Sequence, residues 1–406
     1  MSDISSRPLA GYRILDMTTF LSGPFCTQVL ADMGADVVKV EAPGGDSSRV
    51  IPPHFVGEDS AYYLANNRNK RSLAIDMKSP EGLTLVRRLI GEVDVVVENF
   101  RPGVPARLGL DVEQIRAEQP RLIWASISGF GQTGSMRDKP AYDMIVQALS
   151  GVMSLTGEPN RPSVRLGIPA GDTVAGLYTA IAINAALADR ERCGEGRVVD
   201  VSMLDCQLAM LSYQSAYALI AGATPSHQGA RHDSIPTYRS FIAGDDRELV
   251  ITANTERMWQ GLCRGLGHSE LIDDPRFSDG GRRLENCKAL WAILEPAFRQ
   301  RAATEWVETL STEGVPVALI KTVPEALEDA RTSGRDMILP LEDADGHHIE
   351  VVGNPVKFAN ADGHLARYPP ELGRNAAEVL GEWLDMPVAE VEAMHANGVL
   401  REGRPA

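Results

Sequence analysis

The sequence lacks the features that mark disulfide-rich, zinc-binding, secreted and membrane-spanning chains. Its five cysteines are scattered without a C-x-x-C pair, so they indicate neither a disulfide framework nor a zinc site. His347 and His348 are adjacent but follow Asp-Gly in DADGHH, which a solvated hairpin turn explains without a metal. The N-terminal segment MSDISSRPLAGYRILD has no apolar signal-peptide core, and no segment offers about 20 uncharged apolar residues for a membrane span. We therefore predict a cytoplasmic protein with no metal and no membrane partner.

Basic residues are also in short supply. The chain has 40 Lys and Arg against 55 Asp and Glu, a formal net charge of −15 and a sequence pI of about 5.1. This balance argues against nucleic acid as a partner, because binding to a polyanion needs an excess of positive charge. An anionic ligand would need a local cluster of cations.

The glycine motifs that bind nucleotide phosphates are missing as well. The opening segment, from RILDM to ADVVKVE, is similar to a dinucleotide-binding βαβ unit, and Glu41 ends its second strand where a ribose-binding acid would lie. Its turn, LSGPFCTQ, has one glycine followed by proline where G-x-G-x-x-G is required, and no G-x-x-x-x-G-K-[ST] occurs. A dinucleotide-dependent oxidoreductase is therefore a distant alternative.

The patterns that are present predict an α/β fold. Short β-branched runs such as RILDM, ADVVKVEA and DVVVENF alternate with helical periods such as PEGLTLVRRLIGE, as in βαβ units around a parallel sheet. A helix from about Thr173 to Arg190 is apolar on nearly every face, so we expect it to be buried. LDCQLAMLSYQSAYALIAG predicts a second, largely apolar helix.

With 406 residues, the chain is long enough for two or three domains. Residues 221–234 are rich in Gly, Pro, Ser and His and indicate a linker. We predict a large α/β domain over residues 1–220 and a smaller α+β domain over 235–325. Residues 326–406 are predicted to be a linker and a return to the large domain.

Six segments, in this order and spacing, carry a specific signal: LDMTTFLSGPFCTQVLADMGADVVKVE, NNRNKRSLAIDMKSPEG, DVVVENFRPGVPARLGL, LIWASISGFGQTG, AYDMIVQALSGVMSLTG and GDTVAGLYTAIAINAAL. Over nearly its whole length the chain thereby resembles the family III CoA-transferases, which include formyl-CoA transferase and carnitine CoA-transferase. The resemblance implies a Rossmann-like large domain whose parallel sheet is built from both chain ends. It also implies an interlocked homodimer of two ring-like chains.

Asp172, in PAGDTVAG, matches the nucleophile of these transferases. A carboxylate with a pKa near ~3.9 is ionised at neutral pH and needs no separate base before it attacks a thioester. The resemblance implies mixed anhydrides and an aspartyl-CoA thioester on Asp172, with CoA as a substrate and no permanently bound cofactor. From the residues alone, an N-cap of a helix that begins at Thr173 is the simpler explanation of Asp172. Gly171 and Gly176 are expected to leave room for CoA.

CoA carries a 3′-phosphate, a pyrophosphate and an adenine, so an acidic chain must place cations and an aromatic ring for it locally. Asn99 and Phe100 lie at the carboxyl end of a predicted strand, where ligands of open α/β sheets bind. A solvated loop also explains Lys70 and Arg71, and an exposed helix position also explains Arg107. With the resemblance, the predicted CoA contacts are Asn69, Lys70, Arg71, Asn99, Phe100, Arg101, Arg107, Lys139 and Tyr142.

The related alpha-methylacyl-CoA racemases are the nearest alternative function. A racemase needs two acid/base groups on opposite sides of the α-carbon, and in these relatives a histidine stands where this chain has Tyr142. No histidine lies between His54 and His227, so the sequence favours the transferase.

The sequence gives less information about which carboxylic acids donate and accept CoA. Leu21 stands where formyl-CoA transferase has glutamine, and the glycine-rich loop of that enzyme is missing from ITANTERMWQG, so neither formate nor oxalate is expected. Backbone N–H groups near Ser22 and Gly23 are candidate oxyanion donors. Three residues of SHQGARHDSIPTYRS are candidates to bind the second carboxylate of a diacid such as succinate, although a surface salt bridge explains them equally: Arg231, His232 and Arg239.

Overall fold

The computed structural model describes residues 7–359 and 366–403, in which the chain forms two compact units. The first unit extends to Val152, continues over Arg165–Ala223 and resumes at Ser333. The second unit comprises Met153–Val164 and Thr224–Thr332. None of the helices in these ranges combines the length and the apolar character that a membrane span requires.

The strands, numbered along the chain, are β1 (Arg13–Met17), β2 (Asp36–Glu41), β3 (Phe55–Val56), β4 (Asp59–Ser60), β5 (Lys70–Ile75), β6 (Val95–Glu98), β7 (Ile123–Ser128), β8 (Val198–Ser202), β9 (Tyr238–Ile242), β10 (Glu248–Thr252), β11 (Val317–Leu319), β12 (Ile338–Glu342), β13 (His348–Val352) and β14 (Leu400–Arg401).

The α-helices are α1 (Ser22–Asp32), α2 (Ala61–Leu64), α3 (Pro80–Ile90), α4 (Val104–Arg107), α5 (Val112–Glu118), α6 (Asp143–Leu149), α7 (Val152–Leu155), α8 (Ala170–Cys193), α9 (Met203–Met210), α10 (Tyr213–Ala221), α11 (Glu256–Leu266), α12 (Gly280–Glu285), α13 (Cys287–Phe298), α14 (Ala303–Thr312), α15 (Val323–Thr332), α16 (Ala376–Leu384) and α17 (Val388–Ala396).

The first unit is built on a seven-stranded sheet with the order β14-β5-β2-β1-β6-β7-β8. Its neighbouring strands are parallel except for β14, which pairs antiparallel with β5. The expected parallel sheet that uses both ends of the chain is therefore confirmed, with β14 as an antiparallel edge strand. The predicted hairpin at DADGHH is also present, as the pair β12 and β13.

Successive residues of the central strands face opposite sides of the sheet and enter two apolar clusters. Leu15 and Val96 pack in one cluster with residues of α3 and α16. Ile14 and Val95 pack in the other with residues of α1 and α8. Because both faces are covered, the strands are apolar nearly throughout, which is why the sequence shows continuous rather than alternating runs.

Helix α8 differs from its prediction in two ways. It begins at Ala170 rather than at Thr173. The expectation that it is buried on all sides is wrong for the single chain, because Leu177, Tyr178 and Ile181 are 43%, 45% and 64% exposed. One apolar face of α8 is therefore uncovered.

The segment predicted as one apolar helix after β8 forms two helices. Helix α9 ends at Met210 and α10 begins at Tyr213, with Ser212 between them at a positive φ of 49°. No residue of α10 is buried, and Leu219 and Ile220 are 86% and 85% exposed. A positive φ at a non-glycine residue interrupts the helical path, and hydrophobic periodicity alone gives no sign of it.

The second unit contains a three-stranded antiparallel sheet in the order β11-β10-β9. β9 and β10 form a hairpin whose turn contains Gly244, Asp245 and Asp246. Helices α11, α13 and α14 pack with this sheet around a core that includes Trp259, Phe298 and Trp306. This unit has its own core, which the aromatic rings dominate.

Candidate active site

The carboxyl ends of β1, β6 and β7 and the first turn of α8 surround a cavity of about 280 Å³. Ligands of open α/β sheets bind at this edge, because the loops that follow the strands meet there. Of the residues predicted from the sequence, those that line the cavity are Asp172, Asn99, Phe100, Arg101, Lys139 and Tyr142.

Asp172 lies in the first turn of α8 and is not its N-cap. The N-cap is Pro169, whose side chain has no hydrogen-bond acceptor, so the alternative that Asp172 is the N-cap of this helix is wrong. Burial raises the pKa of the Asp172 carboxyl to about 7, and the nearby Asp143 carboxylate adds to this increase. The Ser22 hydroxyl donates a hydrogen bond to the Asp172 carboxylate, and this bond partly offsets the rise in pKa.

The loop after β1 presents Ser22 to this carboxylate, and Asn99 holds the loop. The Asn99 side chain accepts from the Thr19 N–H at 2.9 Å and donates to the Thr19 carbonyl at 2.8 Å. Its amide nitrogen also lies 3.4 Å from the Ser22 Oγ. Asn99 therefore ties the end of β6 to the loop beside the candidate nucleophile.

Behind Asn99, the carboxyl group of Glu98 is buried. Its Oε2 accepts a hydrogen bond from the Phe100 N–H at 2.8 Å, which fixes the turn that presents Phe100. Burial raises the pKa of Glu98 to about 7. Two carboxyl groups of this edge of the sheet thus change charge near neutral pH.

Asp143, at the start of α6, anchors the beginning of α8. Its Oδ1 accepts from the Gly171 N–H at 2.7 Å, and its Oδ2 accepts from the Gln147 side chain at 2.7 Å. An anion at this N–H is favoured because the first turn of a helix has unpaired donors and the positive end of the helix dipole. Asp143 thus positions the residue next to Asp172 and raises the pKa of Asp172 by its charge.

Gly171 and Gly176 leave room for protein rather than for CoA. A Cβ on Gly171 would lie 2.8 Å from the Gln207 Nε2 and 2.9 Å from the Asp143 Oδ1. A Cβ on Gly176 would lie 2.7 Å from the Ser22 carbonyl oxygen. The expectation that these glycines make space for the ligand is corrected: they allow α8 to pack closely on α1 and on the side chains that anchor it.

Cations and aromatic rings line the opposite part of the cavity. Arg101 and Lys139 are exposed there, and the Tyr142 ring, 67% exposed, packs edge-on against Phe20 with 6.2 Å between ring centroids. Arg107 does not line the cavity, but its guanidinium lies close to it. Gly103 directly follows the lining residue Pro102, and a Cβ built on Gly103 would lie 3.3 Å from the Arg107 Nη1. Among the described residues, neither Arg101 nor Arg107 forms an ion pair with a carboxylate.

The structure does not bring Asn69, Lys70 and Arg71 to the cavity. Lys70 is fully buried and its Nζ binds the Asp16 carboxylate at 3.0 Å, while burial lowers the pKa of this amine to about 8. The Asn69 side chain donates to Asp32 at 2.8 Å. The Arg71 guanidinium is bound by three carboxylates, those of Asp36, Glu378 and Glu382. These three side chains, which lie in β5 or directly before it, bind carboxylates of the same unit and do not line the cavity.

Glu41, the acid of the dinucleotide alternative, is engaged in the same way. Its Oε1 accepts from the Arg49 Nη2 at 2.7 Å and from the Ser72 hydroxyl at 2.8 Å. Its side chain is 1% exposed. It therefore offers no oxygen to a ribose.

The groups at the cavity that were not predicted as site residues include the Ser22 hydroxyl, Tyr62, Arg137 and Asp143. Burial and the charge of Asp172 raise the pKa of the Tyr62 phenol to about 12. Arg137 lies two residues before Lys139 in the sequence, which is the one local signal that points to it. Ser22 and Asp143 are far from Asp172 in the sequence, and only the fold brings them to it.

In the second unit, Arg231 and Arg239 lie against the same indole ring. Each guanidinium carbon is 4.8 Å from the centroid of Trp291. Arg239 also binds the Glu295 carboxylate at 3.0 Å. His232 stacks on Tyr238 with 5.6 Å between ring centroids. Arg239 is thus neutralised by its own unit, whereas the described ion pairs include none for Arg231.

Comparisons with known proteins agree on one family. The model of CoA-transferase family III matches residues 9–376. The chain is 38% identical over 391 residues to a succinate-glutarate CoA-transferase of Agrobacterium fabrum, covering 94% of this chain and 98% of that one. It is 37% identical over 379 residues to an acetyl-CoA:oxalate CoA-transferase of Acetobacter aceti, covering 93% and 96%.

A solved structure gives the same result for the fold. The crystal structure of a CAIB/BAIF family protein from Brucella suis has a TM-score of 0.84 and 36% sequence identity to this chain, covering 93% of this chain and 100% of that one. The family match spans both units and the residues that surround Asp172. This chain belongs to CoA-transferase family III and is an acyl-CoA:carboxylate CoA-transferase.

Proposed function

We propose that this enzyme moves CoA from an acyl-CoA donor such as succinyl-CoA to a small carboxylic acid through covalent intermediates on Asp172. The observation that carries the proposal is the setting of this carboxylate: it faces an open cavity, it is not a cap, and its pKa is about 7. A carboxylate that is more basic than usual, yet largely ionised at slightly alkaline pH, is the better nucleophile.

Four substitution steps complete the transfer. An Asp172 oxygen attacks the thioester carbonyl, the C–S bond breaks, and a mixed anhydride and CoA thiolate form. The thiolate attacks the aspartyl carbonyl carbon and releases the donor carboxylate, which leaves an aspartyl-CoA thioester. The acceptor carboxylate then attacks this thioester, and the thiolate released attacks the acceptor's acyl carbon. The product acyl-CoA forms and the Asp172 carboxylate returns.

Each addition places a negative charge on the carbonyl oxygen under attack. The backbone N–H groups of Ser22 and Gly23 begin α1, where unpaired donors and the helix dipole favour an anion. Leu21 is the N-cap of α1 and has no side-chain cap bond, so no side chain competes for these donors from that position. We assign the oxyanion site to this helix start.

We assign the CoA phosphates to Arg101 and Arg107, with Asn99, Phe100, Lys139 and Tyr142 along the rest of the molecule. Replacing Arg101 or Arg107 by alanine is expected to raise the KM for acyl-CoA about tenfold and to leave kcat nearly unchanged, because each loses a charge-assisted phosphate contact remote from the reacting carbon. Steady-state kinetics with varied acyl-CoA measures this.

Arg121 provides the matched control, because its exposed guanidinium binds Glu191 at 3.1 Å and does not line the cavity. Arg121→Ala should leave both constants unchanged. An equal rise in KM for all three variants would mean that only net charge matters and would remove the assignment.

The racemase remains the second candidate and is disfavoured by the site. The residues that line the described cavity include no histidine. The family resemblance implies that Tyr142 occupies the position of the racemase histidine. Incubation with succinyl-CoA and glutarate in D₂O distinguishes the two functions. A transferase yields glutaryl-CoA without deuterium at the α-carbon, whereas α-deuteration without CoA transfer selects the racemase.

Dicarboxylates are the proposed acids, and oxalate joins the test panel because a relative named for oxalate is 37% identical. We infer that Arg231, which is not neutralised as Arg239 is, binds the second carboxylate of a diacid. Arg231→Ala is expected to raise the KM for succinate or glutarate about tenfold and to change that for a monocarboxylate far less, because only the diacid loses a charge-assisted bond.

Arg239→Ala is the control here, since it removes the same cation beside Trp291 but one already bound to Glu295. Equal effects on diacid and monoacid, or equal effects of the two substitutions, would remove the assignment of Arg231.

We also propose the homodimer that the family resemblance implies. The uncovered apolar residues of α8 and α10 support it, because exposed apolar surface of this extent on two helices is typical of an interface. Light scattering is expected to give twice the chain mass of 44.0 kDa. A mass of one chain would contradict the proposal.

A further inference from the structure

The loop between β1 and α1 adopts a conformation that its sequence does not favour. Phe20 has φ 62°, in the left-handed region that disfavours residues with a Cβ, and no glycine occurs between Thr18 and Ser22. Such a backbone persists only where surrounding groups hold it. The contacts of this loop therefore show what holds it.

Two buried side chains from β2 and the segment after it hold the two ends of the turn. The Lys39 Nζ donates to the Thr18 carbonyl at 2.7 Å. The Asp46 Oδ1 accepts from the Phe20 N–H at 3.2 Å. Between these points, Asn99 binds both backbone groups of Thr19.

Lys39 and Asp46 also bind each other. The Lys39 Nζ lies 3.0 Å from the Asp46 Oδ2, and both side chains are 0% exposed. Neither is among the described residues that line the Asp172 cavity, so neither is placed to touch a substrate. A buried ion pair carries a large desolvation cost and is weak evidence for stability. Asp46 also caps the turn that follows it, because its Oδ1 accepts from the Ser48 N–H at 2.9 Å. The bonds from both partners of the ion pair to one loop indicate a second role, in positioning that loop.

The loop leads directly to the nucleophile. Ser22 lies two residues after Phe20, is 4% exposed and donates to the Asp172 carboxylate. Gly176 allows α8 to approach the Ser22 carbonyl closely, so a shift of the loop displaces Ser22 relative to Asp172. The ion pair thus acts on the nucleophile through the loop.

We propose that the buried Lys39–Asp46 ion pair positions the β1–α1 loop so that Ser22 meets Asp172 in the geometry that the transfer reaction needs. The two residues are positioning residues, and the inference rests on the proposed role of Asp172. It adds a structural element, remote from the substrate, on which the reactivity of the nucleophile depends.

Asp46→Asn tests the proposal, since it keeps an acceptor for the Phe20 N–H but removes the charge that holds Lys39. We expect kcat to fall about tenfold with the KM for acyl-CoA unchanged, because a small displacement at the reacting atoms slows chemistry without removing a ligand contact. The apparent pKa of kcat/KM should rise, as it should in Ser22→Ala. In the double variant Ser22→Ala/Asp46→Asn, the second substitution should add no further rise.

Asp32→Asn is the matched control, because Asp32 forms a comparably buried ion pair, with Arg68 at 2.5 Å, in the same unit. It should lower the thermal unfolding midpoint without changing the pH profile. If Asp46→Asn changes stability, kcat and the apparent pKa no differently from Asp32→Asn, the proposal is overturned. It is also overturned if the rise in apparent pKa caused by Asp46→Asn adds to that caused by Ser22→Ala.

A second variant guards against misfolding. Lys39→Met/Asp46→Leu removes both charges together, and replacement of a buried ion pair by apolar residues of similar size is often tolerated. It should fold and still show the reduced kcat; full activity would overturn the proposal. Mass-spectrometric trapping on the Asp172 peptide of the wild type, run alongside, separates this result from a failure of the proposed nucleophile.

Discussion

Replacing Asp172 by alanine or asparagine is expected to lower kcat for CoA transfer by about 10⁴-fold or more, because no other carboxylate is among the described residues that line the cavity and could form the mixed anhydride in its place. The KM for acyl-CoA should change little, since the proposed phosphate contacts lie elsewhere. Steady-state transfer assays, with product acyl-CoA measured by chromatography, give both constants.

Asp189, near the other end of α8, supplies the control. Its carboxylate is bound by Arg192 and Arg197 and does not line the cavity. Asp189→Asn should transfer CoA at the wild-type rate. Wild-type transfer in Asp172→Ala would contradict the proposed mechanism.

The substitution Asp172→Asn is also expected to change the stability of the protein, because the pKa of Asp172 is raised in the folded state. The folded protein favours the protonated carboxyl, so the stability associated with this group is present below its usual pKa of 3.8 and is lost as the pH rises to about 7. Asp172→Asn removes this loss. Its thermal unfolding midpoint should exceed that of the wild type at pH 8, and by less at pH 5. A lower midpoint at pH 8 would show that the carboxylate stabilises the fold.

The pH dependence of the first half-reaction is the second large effect. Only the ionised Asp172 attacks, and its pKa is about 7, so kcat/KM should fall about a hundredfold between a plateau above pH 8 and pH 5. Asp143 interacts with this carboxylate through its charge. The charged or titratable groups that line the same cavity are Tyr62, Arg101, Arg137, Lys139 and Tyr142, and Glu98 lies next to Asn99.

Asp143→Asn should extend activity to lower pH. The substitution removes the neighbouring negative charge, so the pKa of Asp172 falls and the acid limb of the profile moves down. Ser22→Ala should move the limb in the opposite direction, because it removes a hydrogen bond to the ionised form. Initial rates of thiolate release at subsaturating acyl-CoA, from pH 5 to pH 9, measure both shifts.

Gln147→Met controls for the structural part of the Asp143 change. It removes the hydrogen bond to the Asp143 Oδ2 but leaves the charge of Asp143 in place, so the acid limb should not move down. Equal downward shifts in the two variants would mean that the anchor of α8, and not the charge, sets the pH dependence. An unchanged profile in every variant would indicate that a group such as Glu98 controls it.

Much of the fold was predictable because its signals are local. The run RILDM matches β1, and DVVVENF contains β6. Ser79 caps α3 through the Gly82 N–H at 3.0 Å, and Pro80 occupies the first helical position, where proline is common. Asp172 was identified by the family resemblance. The predicted start of its helix, Thr173, lies three residues after the observed start at Ala170, so Asp172 was placed before the helix and not in its first turn. Periodicity defines the middle of a helix better than its ends.

The charged residues of β5 show what local signals cannot give. The sequence predicts that Lys70 and Arg71 lie in a solvated loop or contact a phosphate of CoA, because charged side chains are usually exposed to solvent. Their partners, Asp16 and Glu382 among them, are distant in the sequence, and only the packed sheet brings them together. The Ser22 hydroxyl and Asp143 escaped prediction for the same reason: a serine hydroxyl or an aspartate acquires a role only from what the fold places beside it.

Covalent trapping tests the central claim most directly. The protein would be incubated with succinyl-CoA, treated with hydroxylamine or borohydride, digested and examined by mass spectrometry. The account predicts a modification on the peptide that contains Asp172, and none on the corresponding peptide of Asp172→Ala. Modification of a different carboxylate, with undiminished transfer by Asp172→Ala, would contradict it.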